Sequence, residues 1–188
     1  MSVIEVEIKL PIEERESVTV NLEKMGFIKA GLVQEEDVYF DNDFGQIRKN
    51  GEALRVRRIA DLLTSQEETV ITYKGRKMDQ VSMSRKELET GVEDSDVCIG
   101  ILEALGFQMV EPKVIKTRQE YTLDQMHACV DRVENLGDFL ELELVIEEEQ
   151  GKETALQEIE KVLQRLGYTR KDTVRNSYLS MLQHVEDE

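Results

Sequence analysis

Val3-Ile4-Glu5-Val6-Glu7-Ile8-Lys9-Leu10 alternates without a fault, with Val3, Glu5, Glu7 and Lys9 on one side and Ile4, Val6, Ile8 and Leu10 on the other. Successive side chains of an extended chain point to opposite faces, so this spacing predicts a strand with one apolar and one charged face. Seven more segments read as strands, at about 35–41, 53–60, 68–75, 80–89, 113–123, 127–134 and 139–148. Turn chemistry separates several of them, most clearly at Asn50-Gly51, Lys74-Gly75, Leu123-Asp124-Gln125 and Asn135-Leu136-Gly137-Asp138. Helical periodicity covers 12–25, 95–105 and 152–166, and each run stops at a glycine followed by an aromatic residue: Gly26-Phe27, Gly106-Phe107 and Gly167-Tyr168. A shorter helix is expected at 173–184. The stretches 22–27 (LEKMGF) and 102–107 (LEALGF) are nearly identical and stand eighty positions apart, which reads as a two-fold pseudo-repeat within one domain.

Composition narrows the class. The 188 residues suit a single domain, 1–188, with 40% hydrophobic and 34% charged residues and only two prolines. No apolar run approaches the length of a membrane span, and no basic-then-apolar leader opens the sequence. A net charge of −16 repels phosphate backbones and argues against duplex nucleic acid as a partner. Cys98 and Cys129 stand apart, with neither a CxxC pair nor a disulfide framework, and reduced thiols in the cytoplasm fit them best. With His127 and His184 the only histidines, a histidine-rich zinc site is excluded; a metal would be held by carboxylates, which selects Mg²⁺, Mn²⁺ or Ca²⁺.

The informative feature is how charge sits on the strands. Glu5, Glu7 and Lys9 share a face, as do Arg55 and Arg57, Arg85, Glu87 and Glu89, Lys116 and Arg118, and Glu141 and Glu143; Lys74 ends an otherwise apolar strand. Any one such pair alone reads as an ordinary solvated face. Together they describe something else: about eight antiparallel strands can close into a barrel, and if the apolar faces pack outward against helices, the charged faces line the interior. Clustered Arg and Lys there would make charge-assisted bonds to phosphate oxygens. Clustered carboxylates would hold a hard divalent ion bridging those oxygens. A triphosphate with Mg²⁺ suits such a lumen.

Glu5-Val6-Glu7-Ile8-Lys9 resembles the N-terminal ExExK signature of the CYTH family, which includes class IV adenylyl cyclases and thiamine triphosphatases. The succession of further motifs along the chain strengthens the resemblance: Leu54-Arg55-Val56-Arg57, Thr72-Tyr73-Lys74-Gly75, Arg85-Lys86-Glu87, Lys116-Thr117-Arg118, Val130-Asp131 and Glu141-Leu142-Glu143. Asn176-Ser177-Tyr178-Leu179 looks like the C-terminal helix of the cyclase (CyaB-like) branch. The resemblance implies an α+β fold, an eight-stranded antiparallel barrel (the triphosphate tunnel) with flanking helices, using Mg²⁺ or Mn²⁺. It implies metal ligands among Glu5, Glu7, Asp131, Glu141 and Glu143. Phosphate-binding side chains are implied at Lys9, Arg55, Arg57, Lys74, Arg85, Lys116 and Arg118, and catalytic roles at Glu7, Lys9 and Glu143. Glu87 and Glu89 would orient basic side chains or serve the nucleotide end. The leading expectation is conversion of ATP to cyclic AMP and pyrophosphate; the alternatives are hydrolysis of tripolyphosphate or an organic triphosphate, and a non-enzymatic polyphosphate or nucleotide binder. The family's cyclases also suggest a homodimer.

Overall fold

The computed structural model describes residues 4–76, 85–147 and 149–186, with the side chains of Arg85, Glu149 and Glu186 outside the description. Eight strands form in chain order: β1 (Ile4–Pro11), β2 (Ile28–Asn42), β3 (Ala53–Asp61), β4 (Glu67–Lys74), β5 (Arg85–Val92), β6 (Phe107–Leu123), β7 (Met126–Val133) and β8 (Gly137–Ile146). Helices α1 (Arg15–Lys24), α2 (Gln46–Lys49), α3 (Ser95–Ala104), α4 (Lys152–Arg165) and α5 (Tyr178–Glu186) lie between and after them. The strands close into a barrel in the order β1-β5-β4-β3-β2-β6-β7-β8, every pair antiparallel. No helix among the described residues is long and apolar enough to cross a membrane.

The order records the internal repeat. Apart from α2, which lies between β2 and β3, the segments β1-α1-β2-β3-β4 and β5-α3-β6-β7-β8 have the same element order, and the equivalent strands β1 and β5, and β2 and β6, are antiparallel neighbours. That is the arrangement of a pseudo-dyad crossing the barrel axis. The register agrees: Ile28 pairs with Thr122, and eighty positions on, Gln108 pairs with Asp41, within one residue of the dyad-related position. Both α1 and α3 stop at left-handed glycines, Gly26 (φ 98°) and Gly106 (φ 89°). At the first, the Phe27 N–H donates to the Leu22 carbonyl, and the Phe27 ring is buried beside the helix it ends.

The apolar strand faces point outward, where the helices cover them. Val6, Ile8 and Leu10 of β1, Ala128 and Val130 of β7, and Leu140 and Leu142 of β8 pack with Val18 and Leu22 of α1 and with Leu156, Ile159 and Leu163 of α4. Leu102 of α3 does the same for Val38, Phe40 and Val56. Helix α5 is placed differently: Tyr178 and Leu182 pack with Val114, Val133 and Phe139, whose alternation puts them on the inner side. It therefore closes the barrel at that level. The expected strands form among the described residues, with positions 80–84 of the one expected at 80–89 and position 148 of the last lying outside them; β2 and β6 run to 15 and 17 residues because their extensions pair with each other. Lys29, Gly31 and Pro112 mask those extensions in the sequence, and register shifts at Lys29/Gly31 and Asp37/Tyr39 absorb the irregularity. The four-residue α2 is an addition to the elements expected from sequence, and the last helix begins at Tyr178 rather than 173. Ile159→Ala, in a fully buried position between α4 and the barrel, is expected to lower stability by about 2–5 kcal/mol in urea denaturation.

Candidate active site

With the apolar faces outside, alternation turns the charged ones inward, and the ion pairs confirm it. Arg118 on β6 reaches past β7 to bond Glu141 on β8, which is open only to side chains inside the barrel. Lys9 (4% exposed), Lys116 (2%) and Asp131 (0%) are as buried as core leucines. Isolated charges cannot remain there, and each is paired.

One group of carboxylates lies against paired cations. Asp37 takes two bonds from Arg57, Nε to Oδ1 at 2.5 Å and an Nη to Oδ2 at 2.8 Å, and lies 3.4 Å from Arg55. Glu35 sits 2.8 Å from Arg57 and 3.1 Å from Lys116. Asp131 accepts from Lys116 at 2.9 Å, twice from Arg118 at 2.7 Å, and from the Tyr178 hydroxyl at 3.0 Å. Burial alone would raise the Glu35 carboxyl, but Lys116, Arg118 and Arg57 more than reverse this and hold it at about 2. Asp37 is likewise held below its ordinary range, with Arg57 and Arg55 overcoming burial.

A second group lacks that compensation. Burial lifts Glu5 to about 8, with Glu143 and Glu87 adding to the lift against the pull of Lys74. Burial and the neighbouring Glu7 and Glu141 raise Glu143 to about 7, opposed by Arg118 and Lys74. Glu141 stands between the groups: Arg118, Lys9 and Lys116 outweigh its burial and keep it ionised, and Lys9 lies 3.2 Å away. Lys9 is also 3.9 Å from Glu7, and Lys74 is 2.5 Å from Glu87. Thr72 donates to Glu89 at 2.6 Å, and Arg55 lies 3.9 Å from the same carboxylate. Glu87 and Glu89 thus lie against basic side chains.

The barrel therefore brings together every sequence-predicted site residue except one. Arg85 begins β5 opposite Glu5 in register, but its side chain lies outside the described residues. Asp131, expected among the metal ligands, has its oxygens taken by Lys116, Arg118 and Tyr178, so here it anchors cations. Sequence reasoning missed Glu35 and Asp37, although their two-residue spacing is the signal used for the other strands. Cys129 lies on the inner wall, its thiol pushed by burial to about 12. His127 pairs in register with Glu143 and is exposed. Among the described residues no three Asp, Glu, His or Cys side chains converge closely enough to hold a metal as they stand.

A closed eight-stranded antiparallel barrel, with α1, α3 and α4 outside and its charged strand faces inside, defines a charged-lumen barrel. The CYTH domain matches residues 3–178, and this chain belongs to that family. A provisionally named adenylate cyclase of Methanocaldococcus jannaschii is 36% identical over 178 residues, covering 95% of this chain and 98% of its own. The PH1819 protein of Pyrococcus horikoshii superposes with a TM-score of 0.87 at 32% identity, over 96% of this chain and 99% of that one. A Hippeastrum protein, provisionally named an adenylyl cyclase and described as having a dominant triphosphatase activity, shares the fold at a TM-score of 0.65 and 16% identity, over 98% and 96% of the two chains.

The depressed carboxyls fix a pH dependence. Stability drawn from ionised Glu35 and Asp37 is present above their ordinary carboxyl values of 4.5 and 3.8 and drains away as pH falls toward about 2, where Glu35 takes up its proton. Urea midpoints measured down that range should fall steeply. Glu35→Gln should flatten the fall and cost about 3 kcal/mol at neutral pH, because Arg57 and Lys116 lose a buried partner.

Proposed function

We propose that this protein is a metal-dependent enzyme acting on a triphosphate inside the barrel, and that it converts ATP to cyclic AMP and pyrophosphate in the manner of class IV adenylyl cyclases. The observation that carries the reading is the juxtaposition, within one closed lumen, of the acids Glu5, Glu7 and Glu143 with Lys9, Lys74 and Arg118. A pure anion binder gains nothing from acids beside its ligand.

The residues fit Mg²⁺ or Mn²⁺. The available donors are hard carboxylate oxygens, as those ions prefer, and the raised carboxyls of Glu5 and Glu143 mark a place where positive charge is short. Glu5, Glu7 and Glu143, with Glu141 beside them, would hold the ion. The chemistry such an ion supplies is Lewis acidity toward phosphate oxygens and toward the attacking hydroxyl. The chain's own part is positioning and charge stabilisation, which is most of what phosphoryl and nucleotidyl transfer asks of a protein. Lys9, Lys74, Arg55, Arg57, Lys116 and Arg118, with Arg85, bind the phosphate chain and take up negative charge as the bond between the α- and β-phosphates breaks. Glu35, Asp37 and Asp131 hold four of those cations in place.

The name given to the Methanocaldococcus relative and the resemblance of the C-terminal helix support the cyclase reading. The triphosphatase activity described for the Hippeastrum protein supports a second, in which the same lumen directs water at the terminal phosphorus. Product analysis with ATP and with tripolyphosphate, each with Mg²⁺ and Mn²⁺, separates them. Cyclic AMP with pyrophosphate is the expected result, and orthophosphate alone would replace the first reading with the second. Glu143→Gln should abolish metal-dependent turnover with the fold intact, and full activity in that variant would remove Glu143 from the metal site. Lys74→Ala is the cleaner probe of anion binding, since Arg57→Ala would strand Asp37 and Glu35. It should weaken tripolyphosphate affinity by about 1.5–3 kcal/mol, readable by calorimetry.

A further inference from the structure

Tyr178 is the first residue of α5, and it does more than fill the base of the barrel. Its ring packs edge-to-face on Phe139 at 5.0 Å between centroids. The Lys9 ammonium lies 4.0 Å from the ring centroid, and that of Lys116 lies 5.3 Å away. Its hydroxyl donates to Asp131, the carboxylate that also fixes Lys116 and Arg118. A flexible lysine buried beside an aromatic face gains cation–π attraction and loses rotational freedom at the same time. The segment leading into the helix is tied down by main chain, since the Val174 N–H donates to the Lys9 carbonyl at 2.8 Å. Farther along, Gln183 donates to the Glu111 carbonyl at 2.8 Å.

We propose that Tyr178 is a positioning residue for phosphate binding: its ring fixes the Lys9 ammonium, its hydroxyl fixes Asp131 and thereby Lys116 and Arg118, and α5 is thus part of the site. The proposal rests on the reading of the lumen as a triphosphate site. The two functions of the side chain are separable. Tyr178→Phe keeps the ring and loses the hydroxyl; Tyr178→Leu loses both while filling much of the space.

The experiment measures tripolyphosphate binding by calorimetry, without turnover, for the wild type and both variants, beside thermal stability and the proton shifts of the Lys9 side chain. Expected are an upfield ring-current shift of the Lys9 methylenes in the wild type and in Tyr178→Phe, and its loss in Tyr178→Leu. Affinity should fall roughly 3–10-fold in Tyr178→Phe, as for loss of one hydrogen bond, and further in Tyr178→Leu. A merely structural role would lower the melting temperature in both variants and leave affinity unchanged below it, which would overturn the assignment. Absence of tripolyphosphate binding in the wild type would instead sink the functional reading, and this role with it.

Discussion

Everything in this barrel depends on charge being cancelled where water cannot cancel it. Asp37 between Arg57 and Arg55, Glu35 between Arg57 and Lys116, and Asp131 between Lys116 and Arg118 form a chain of alternating sign around the inner wall. Remove the cancellation and the interior becomes untenable, because a lone buried ion costs several kcal/mol even after relaxation. The constraint also explains the outside. A barrel that turns its polar faces inward must bury its apolar faces elsewhere, and α1, α3 and α4 exist in the fold to do that. Most of the apolar packing and the charged lining are therefore segregated by face, one strand carrying both.

The segregation is why so much was legible. Residues 3–10 announce it in eight letters, and the same two-residue charge spacing recurs on strand after strand. The failures have physical reasons as well. Glu35 and Asp37 lie in the run Gln34-Glu35-Glu36-Asp37, and in a chain with a net charge of −16 an acidic run reads as solvent-facing. Glu36 does reach the surface, where it meets Arg58 and Lys113, whereas its two neighbours turn inward to Arg57. Only the register with β3, which sets Asp37 opposite Arg57, separates them. Nothing in the sequence shows that the oxygens of Asp131 accept from Lys116, Arg118 and Tyr178, a set that only the docking of β6, β7 and α5 brings together. Tyr178 is visible in the sequence only as part of a short motif, since its importance comes from where α5 docks.

The internal repeat carries a related lesson. The dyad relates β1 to β5 and β4 to β8, yet the residues on related strands differ in kind: Glu141 and Glu143 on β8 answer to Thr72 and Lys74 on β4. Duplication supplies a closed, twisted surface with inward positions at regular intervals, and the chemistry comes from breaking the symmetry at those positions. Helix α5 breaks it again, since its Tyr178 and Leu182 pack on the inner side of β6, β7 and β8.

The strand richest in proposed function is also the one whose partners come latest. β1 is zipped to β8 from Ile4–Ile146 to Pro11–Phe139 and touches β5 at Ile4–Lys86, so neither flank is covered by a neighbour in sequence. In a chain emerging from the ribosome, this segment must wait with both edges bare and one face made of Ile4, Val6, Ile8 and Leu10. Such a strand invites pairing with any other exposed edge. Glu5, Glu7 and Lys9 interrupt it at every second position, as gatekeeper residues do. Before the barrel closes, the charges that later line its lumen guard the nascent strand against aggregation.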